Sequence, residues 1–201
     1  MAITNGYVSR ADVKNALGLG TATLTPDDDE IDQVVTSVSR AIDDYTGRFF
    51  YSVAGTVLYT ATDYLYQPIG DWSVVSSVTT DEDNKGTPTV TLTAQTDYRL
   101  DFDRDRPGSP YTAIRITSFG TNTLPVGVTE GVRVIGTRGW AATPEPIKSA
   151  CLIQSVRVHA RRSTPFGVAG SPDGGIIRLL SRLDPDVELM LRPYRVPREA
   201  V

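Results

Sequence analysis

Between Asp27 and Tyr51 the chain reads DDDEIDQVVTSVSRAIDDYTGRFFY, and this stretch limits the possible folds most. Its apolar residues Ile31, Val34, Val35, Val38, Ile42 and Tyr45 return at helical spacing. That spacing predicts a core helix over 27–46 with one buried stripe. Thr25 suits the cap and Pro26 the first helical position, and Asp27 to Glu30 set negative charge on the positive end of the helix dipole. Gly47 suits the left-handed residue that closes a helix, and Arg48 lies near the negative end. Phe49-Phe50-Tyr51 then reads as a strand entering a core.

The flanking sequence supplies partners for that helix. Residues 7–18 predict a short first helix with Ser9 as N-cap, Asp12 three residues later, and Val8, Val13, Ala16 and Leu17 on its apolar side. After Tyr51 helical periodicity gives way to Val, Thr, Tyr and Ile. Strands are expected at 56–60, 63–66, 74–80, 89–93, 98–101, 113–118 and 131–137. Turns are expected at Pro68–Asp71, Asp81–Gly86, Arg106–Gly108 and Gly120–Asn122, and the polar stretch Asp101–Pro110 reads as an exposed hairpin tip. Helical pattern returns at 146–162, where Ile147, Ala150, Cys151, Leu152, Ile153, Val156 and Val158 cover much of the circumference. The Gly- and Pro-rich stretch STPFGVAGSPDGG reads as an exposed loop. Two short helices parted by Pro185 follow, then RPYRVPREAV, an arm that stays free until it meets a partner.

The expected architecture is therefore α+β. Helices from the N- and C-terminal parts pack together, an antiparallel β-rich segment over 50–138 is inserted between them, and a C-terminal arm extends. Residues 1–163 form one domain on this reading, and 164–201 hold the loop, short helices and arm.

Charge is uneven. Residues 147–201 hold nine Lys/Arg against five acids, which makes +4, so residues 1–146 carry −8 of the net −4. Such asymmetry points to a basic tail that meets an acidic partner or nucleic acid. MAITNGYVSR lacks the basic and apolar blocks of a signal peptide, and no run is apolar enough to span a membrane. The lone Cys151 excludes an internal disulfide framework and fits a reducing compartment.

Catalytic chemistry finds little support. The lone His159 lies eight residues from Cys151, about 12 Å along one helix, which is too far for a base–nucleophile pair. Asp101, Asp103 and Asp105 alternate as in a calcium loop, but Arg106 and Thr112 stand where that loop needs Gly and Glu. No phosphate-binding glycine motif occurs. The chain is expected to be a binding or assembly protein, with no catalytic residue, cofactor or metal. A DNA-binding assembly factor would have to use the arginine-bearing C-terminal third, where Tyr194 lies between Arg192 and Arg195.

The order of several words carries a resemblance. YVSRADVKNALGL precedes AIDDYTGRFFY; PIGDWSVVSSVTTDEDNKGT and DYRLD follow; then VRVIGTRGWAATPEPIKSACLIQSVRVHARRSTPFG and LDPDVELMLRPYR close the series. From Tyr7 to about Arg195 the chain resembles the head–tail connector (adaptor) proteins of tailed bacteriophages. The resemblance implies a non-enzymatic virion protein of the neck, assembled in the host cytoplasm as a ring, typically dodecameric. The ring would bind the portal of the DNA-filled head and the stopper or tail-completion protein, and extend the DNA channel without sequence-specific binding. It also implies a portal-docking C-terminal arm, here Leu183, Leu189, Leu191, Arg192, Tyr194, Arg195 and Arg198. The alternatives are a stopper or tail-completion protein of the neck, or the DNA-binding assembly factor above.

Overall fold

The computed structural model of the chain describes residues 2–19, 27–161, 168–169, 177–178 and 183–196. It divides into two compact units, one from residues 1–49 and 143–201 and the other from 50–142. The first holds the helices and a short strand pair, the second is a six-stranded sheet, and the fold class is α+β.

In the helical unit, α1 (Arg10–Ala16) begins at Ser9, whose extended backbone stops the helix from starting at residue 7. Ser9 and Asp12 form the expected reciprocal capping box. α2 (Asp28–Thr46) ends at Gly47, which takes φ 71° and donates its N–H to Asp43 O. Thr25 and Pro26 lie outside the described residues; Asp27 stands at the cap position and makes no side-chain cap bond. Of the predicted stripe, Ile31, Val35, Val38 and Ile42 are buried, and Val34 and Tyr45 are half-buried.

The partner is α3 (Glu145–Arg161), the helix expected from the other side of the insert. Ile147, Ala150 and Cys151 are buried in it. Leu152 and Val156 pack against the cluster of Val13, Ile31 and Val35. The helix has little amphipathic contrast because it is packed on more than one side, by α1, α2 and α4 (Pro185–Leu191). A 3₁₀ turn over Arg192–Tyr194 follows α4.

The second unit is an antiparallel sheet of β1 (Ser52–Tyr59), β2 (Tyr66–Thr80), β3 (Val90–Leu92), β4 (Tyr98–Phe102), β5 (Tyr111–Ile116) and β6 (Val132–Gly139). The strand order is β1-β6-β2-β5-β4, and β3 pairs with the far end of β2. Trp72, Val78, Ile114, Leu124, Val132 and Val134 form the centre of its core. Trp72 satisfies its indole N–H on Ile69 O at 2.9 Å, as a buried indole requires.

Three expectations are corrected. Pro68–Asp71 is not a turn between two strands: β2 runs through it, with a bulge between Pro68 and Trp72. Gly70 takes φ 72° there, which lets the strand absorb the irregularity while Ile69 stays in the core. Next, Ile177–Arg178 is a strand, β8, paired with β7 (Val168–Ala169), where a short helix was expected. A β-branched residue beside a Gly-rich stretch favours extended pairing over helix. Last, the second expected short helix is present as α4, but the start of the expected free arm is seated on the helical unit: Tyr194 is buried and Val196 N–H bonds Thr46 O at 2.8 Å. The loop sequence STPFGVAGSPDGG lies largely outside the described residues.

Candidate functional site

Because the sequence points to a binding or assembly protein, the candidate sites are surfaces that another molecule could meet. The C-terminal segment is the first. Asp184 caps α4 by accepting from Asp186 N–H at 2.9 Å, and Pro185 holds the first turn. Asp184 also pairs with Arg157 of α3. Val187 and Leu191 point into the unit and are fully buried.

Polar contacts then tie this segment to the end of α2. The Tyr45 hydroxyl donates to Glu188 Oε1 at 3.2 Å, the Arg195 guanidinium lies 5.6 Å from the Tyr45 ring centroid, and Val196 N–H bonds Thr46 O at 2.8 Å. Burial first, and the Glu188 bond second, raise the Tyr45 phenol above its ordinary pKa.

The seven residues expected in a docking arm therefore divide. Leu191 and Tyr194 are buried in their own unit, where they act as anchors. Leu183 is half-buried. Leu189 is 69% exposed, and Arg192 and Arg195 are exposed. Arg198 lies outside the described residues. The sequence groups the leucines and the tyrosine together because apolar character alone does not say whether a side chain faces its own unit or a partner.

The second surface is the outer face of the sheet. Opposite residues in an antiparallel pair share a face. The register of β1 on β6 sets Val57 against Val134 on the core side, and Leu58 against Arg133 and Thr56 against Ile135 on the other. Val74 lies opposite Thr137 on that outer side. Leu58, Val74 and Ile135 are exposed there. Sequence reading found the strands but not this face, because strand order is not written in local periodicity.

The third is a cleft of about 280 Å³ at the β4–β5 hairpin tip, lined by Phe102, Arg104, Arg106, Pro107 and Tyr111 among others. Phe102 and Tyr111 meet edge to face, with ring centroids 6.1 Å apart. The expected exposed tip over Asp101–Pro110 is present: Asp101 pairs with Arg115 at 2.8 Å, and Asp103 accepts from Asp105 N–H at 3.1 Å. Both bonds tie these carboxylates up locally.

Among the described residues, no group of three or more His, Cys, Asp or Glu is arranged to hold a metal ion. No helix among them is long and apolar enough to cross a membrane. Cys151 is buried, 3.5 Å from Ser39 Oγ, and burial raises its thiol pKa, the opposite of what a nucleophile needs.

No family model matches the chain, and no curated protein matches it. Solved structures do match. One is a chain in the neck of an empty gene transfer agent particle, computed with C6 symmetry: 21% identity over 100% of this chain and 95% of that one, TM-score 0.62. A second is a chain in the virion of a native gene transfer agent particle: 19% identity, 100% and 95% coverage, TM-score 0.56. A third comes from the neck of a native particle computed with C12 symmetry: 18% identity, 100% and 94% coverage, TM-score 0.57. The helical unit and sheet described above thus form a fold that chains of gene transfer agent particles share from end to end.

Proposed function

We propose that this chain is a structural subunit of the neck of a tailed phage or phage-like particle. It works as a ring-forming adaptor between the portal and the stopper or tail proteins, and it extends the DNA channel. The observation that carries this reading is the likeness of the whole chain, both units included, to a neck chain at TM-score 0.62. The solved necks were computed with C6 and C12 symmetry, which fits a ring. Adaptor proteins are the family whose motif order the sequence follows.

The mechanism is geometric and not catalytic. A ring needs a head-to-tail interface between two different faces of one subunit. The helical unit supplies a rigid body. Net charge of −4 suits a conduit, because a strongly basic lining would hold the genome through phosphate contacts. Leu189, Arg192 and Arg195, exposed beside the buried anchors Leu191 and Tyr194, are the portal-docking side chains of this reading.

The test is electron microscopy of the full chain mixed with portal purified from the same particle. The expected result is a ring stacked beneath the portal. The paired change Leu189→Asp with Arg192→Ala should weaken that attachment at least about tenfold, because both side chains are exposed and neither holds the fold. No association over a wide range of salt and concentration overturns the adaptor role. Retention of DNA in a gel shift at moderate salt would favour an assembly factor instead.

A further inference from the structure

We propose that β1 is an open sheet edge to which a second copy of this chain adds a strand. The inference deepens the ring reading, on which it rests, by naming one of the two faces of a head-to-tail contact; the strand added comes from a different face of the neighbouring copy, since β1 on β1 would close as a two-fold dimer.

One side of β1 is paired with β6 over all eight residues, without a bulge. Among the described residues, no strand pairs with the other side. An exposed row of unpaired N–H and C=O groups is a template for another chain, and sheets ordinarily block it with short strands, charge, Pro or bulges. β1 has none of these devices. Its sequence, SVAGTVLY, contains no charged residue and no Pro.

The rest of the sheet shows that this is not a general lack of protection. The opposite edge, β4, is only five residues long and carries Arg99 and Asp101, with Asp101 paired to Arg115. A bulge interrupts its ladder to β5 between Asp101 and Phe102. β3 is three residues long. One edge is guarded by length, charge and irregularity; the other is long, regular and neutral.

The side chains beside the open edge point to the occupant. Ala54, Thr56 and Leu58 are exposed on the outer face of β1, and Ile135 and Thr137 continue that face on β6. Arg133 is the one charged residue among these outward positions. Its guanidinium is engaged by Thr79 Oγ1 at 3.0 Å and Pro88 O at 2.8 Å. Identical chains of net charge −4 repel one another. They approach with least penalty where the meeting surface carries no charge, and β1 offers such a surface. Nucleic acid would need cations here, and a charged peptide would need counter-charges; an uncharged strand of another copy needs neither.

The test uses the full chain in a concentration series, with sedimentation for size and amide hydrogen exchange for position. In an antiparallel edge strand about half of the amides are already bonded to the neighbour and about half point outward. The outward amides of β1 should exchange at least about tenfold more slowly once copies associate. Thr56→Lys with Leu58→Lys should weaken association at least about tenfold while circular dichroism stays unchanged, since both positions are solvent-facing. The two lysines also reduce the net negative charge, so contact through any other surface would strengthen and not weaken.

Association with unchanged exchange in β1, or equal association by the double variant, overturns the proposal and leaves a ring joined elsewhere. A chain that stays monomeric at every concentration also overturns it. A species that stops at dimers with β1 protected supports the edge contact and counts against the ring.

Discussion

Lys14 carries an ammonium that is almost wholly withdrawn from water, with its side chain 3% exposed and its Nζ 3.0 Å from Asp28 Oδ1. Arg10 reaches the same Asp28 at 3.2 Å and also pairs with the buried Asp32. Two cations of α1 thus neutralise two carboxylates of the first turns of α2, and this fixes how the helices meet. Removing one partner from such a group strands another charge in the interior. Asp28→Asn should therefore cost about 3 kcal/mol in urea unfolding, far more than an exposed ion pair is worth. Asp12 is a gentler case. The Ser9 hydroxyl and then the Ser9 backbone N–H hold its carboxyl below its ordinary 3.8. A lowered folded-state pKa gives stability that is complete above the unfolded value and is lost as pH falls through the folded one. Asp12→Asn should cost about 0.5–1 kcal/mol at neutral pH, and the gap to wild type should close below about pH 4 when unfolding is followed across pH.

Among the elements, α2 was the most legible, because a 3.6-residue period, an acidic first turn and a closing glycine are all local signals. The capping box of α1 and the packing of α3 were legible for the same reason. The pairing of Arg10 and Lys14 with Asp28 and Asp32 was not, since nothing in a single helix says which charges face another helix. β2 reads as two strands in the sequence because Pro68 and Gly70 normally end a strand, and here a bulge absorbs them. The open edge of β1 was invisible, because order within a sheet depends on pairings far apart in sequence. The arm that begins at Arg192 reads as free because its apolar residues are few, yet one buried ring, Tyr194, and the bond from Val196 N–H to Thr46 O seat its first part. Gly136 shows how tightly the sheet is set. A Cβ there would lie 2.1 Å from Val74 O, at the irregular stretch where β2 crosses β6. Backbone cannot move aside as a side-chain tip can, so Gly136→Ala should destabilise the chain by about 2–3 kcal/mol. Differential scanning calorimetry would register this as a lowered Tm, while the far-ultraviolet helix signal below the transition stays as in wild type.

At the scale of the whole molecule, the sheet is an excursion from the helical chain. It leaves after Phe49 and returns before Thr143. Its first and last strands are neighbours: Ser52 lies opposite Gly139, and the Phe50 and Trp140 rings stand 5.5 Å apart at their centroids. A core containing Trp72, Ile114, Leu124, Val132 and Val134 belongs to the excursion alone. Residues 50–142 expressed by themselves should therefore fold, with dispersed amide resonances and a cooperative melt; a collapsed, non-cooperative product would refute this. Paired neighbouring strands are only about 5 Å apart, so the rest of the chain meets the sheet as it would meet a short turn. A lineage could lengthen, trim or exchange such a cassette while the helices kept their packing, and the surface offered to neighbouring proteins could change without the body being refolded around it.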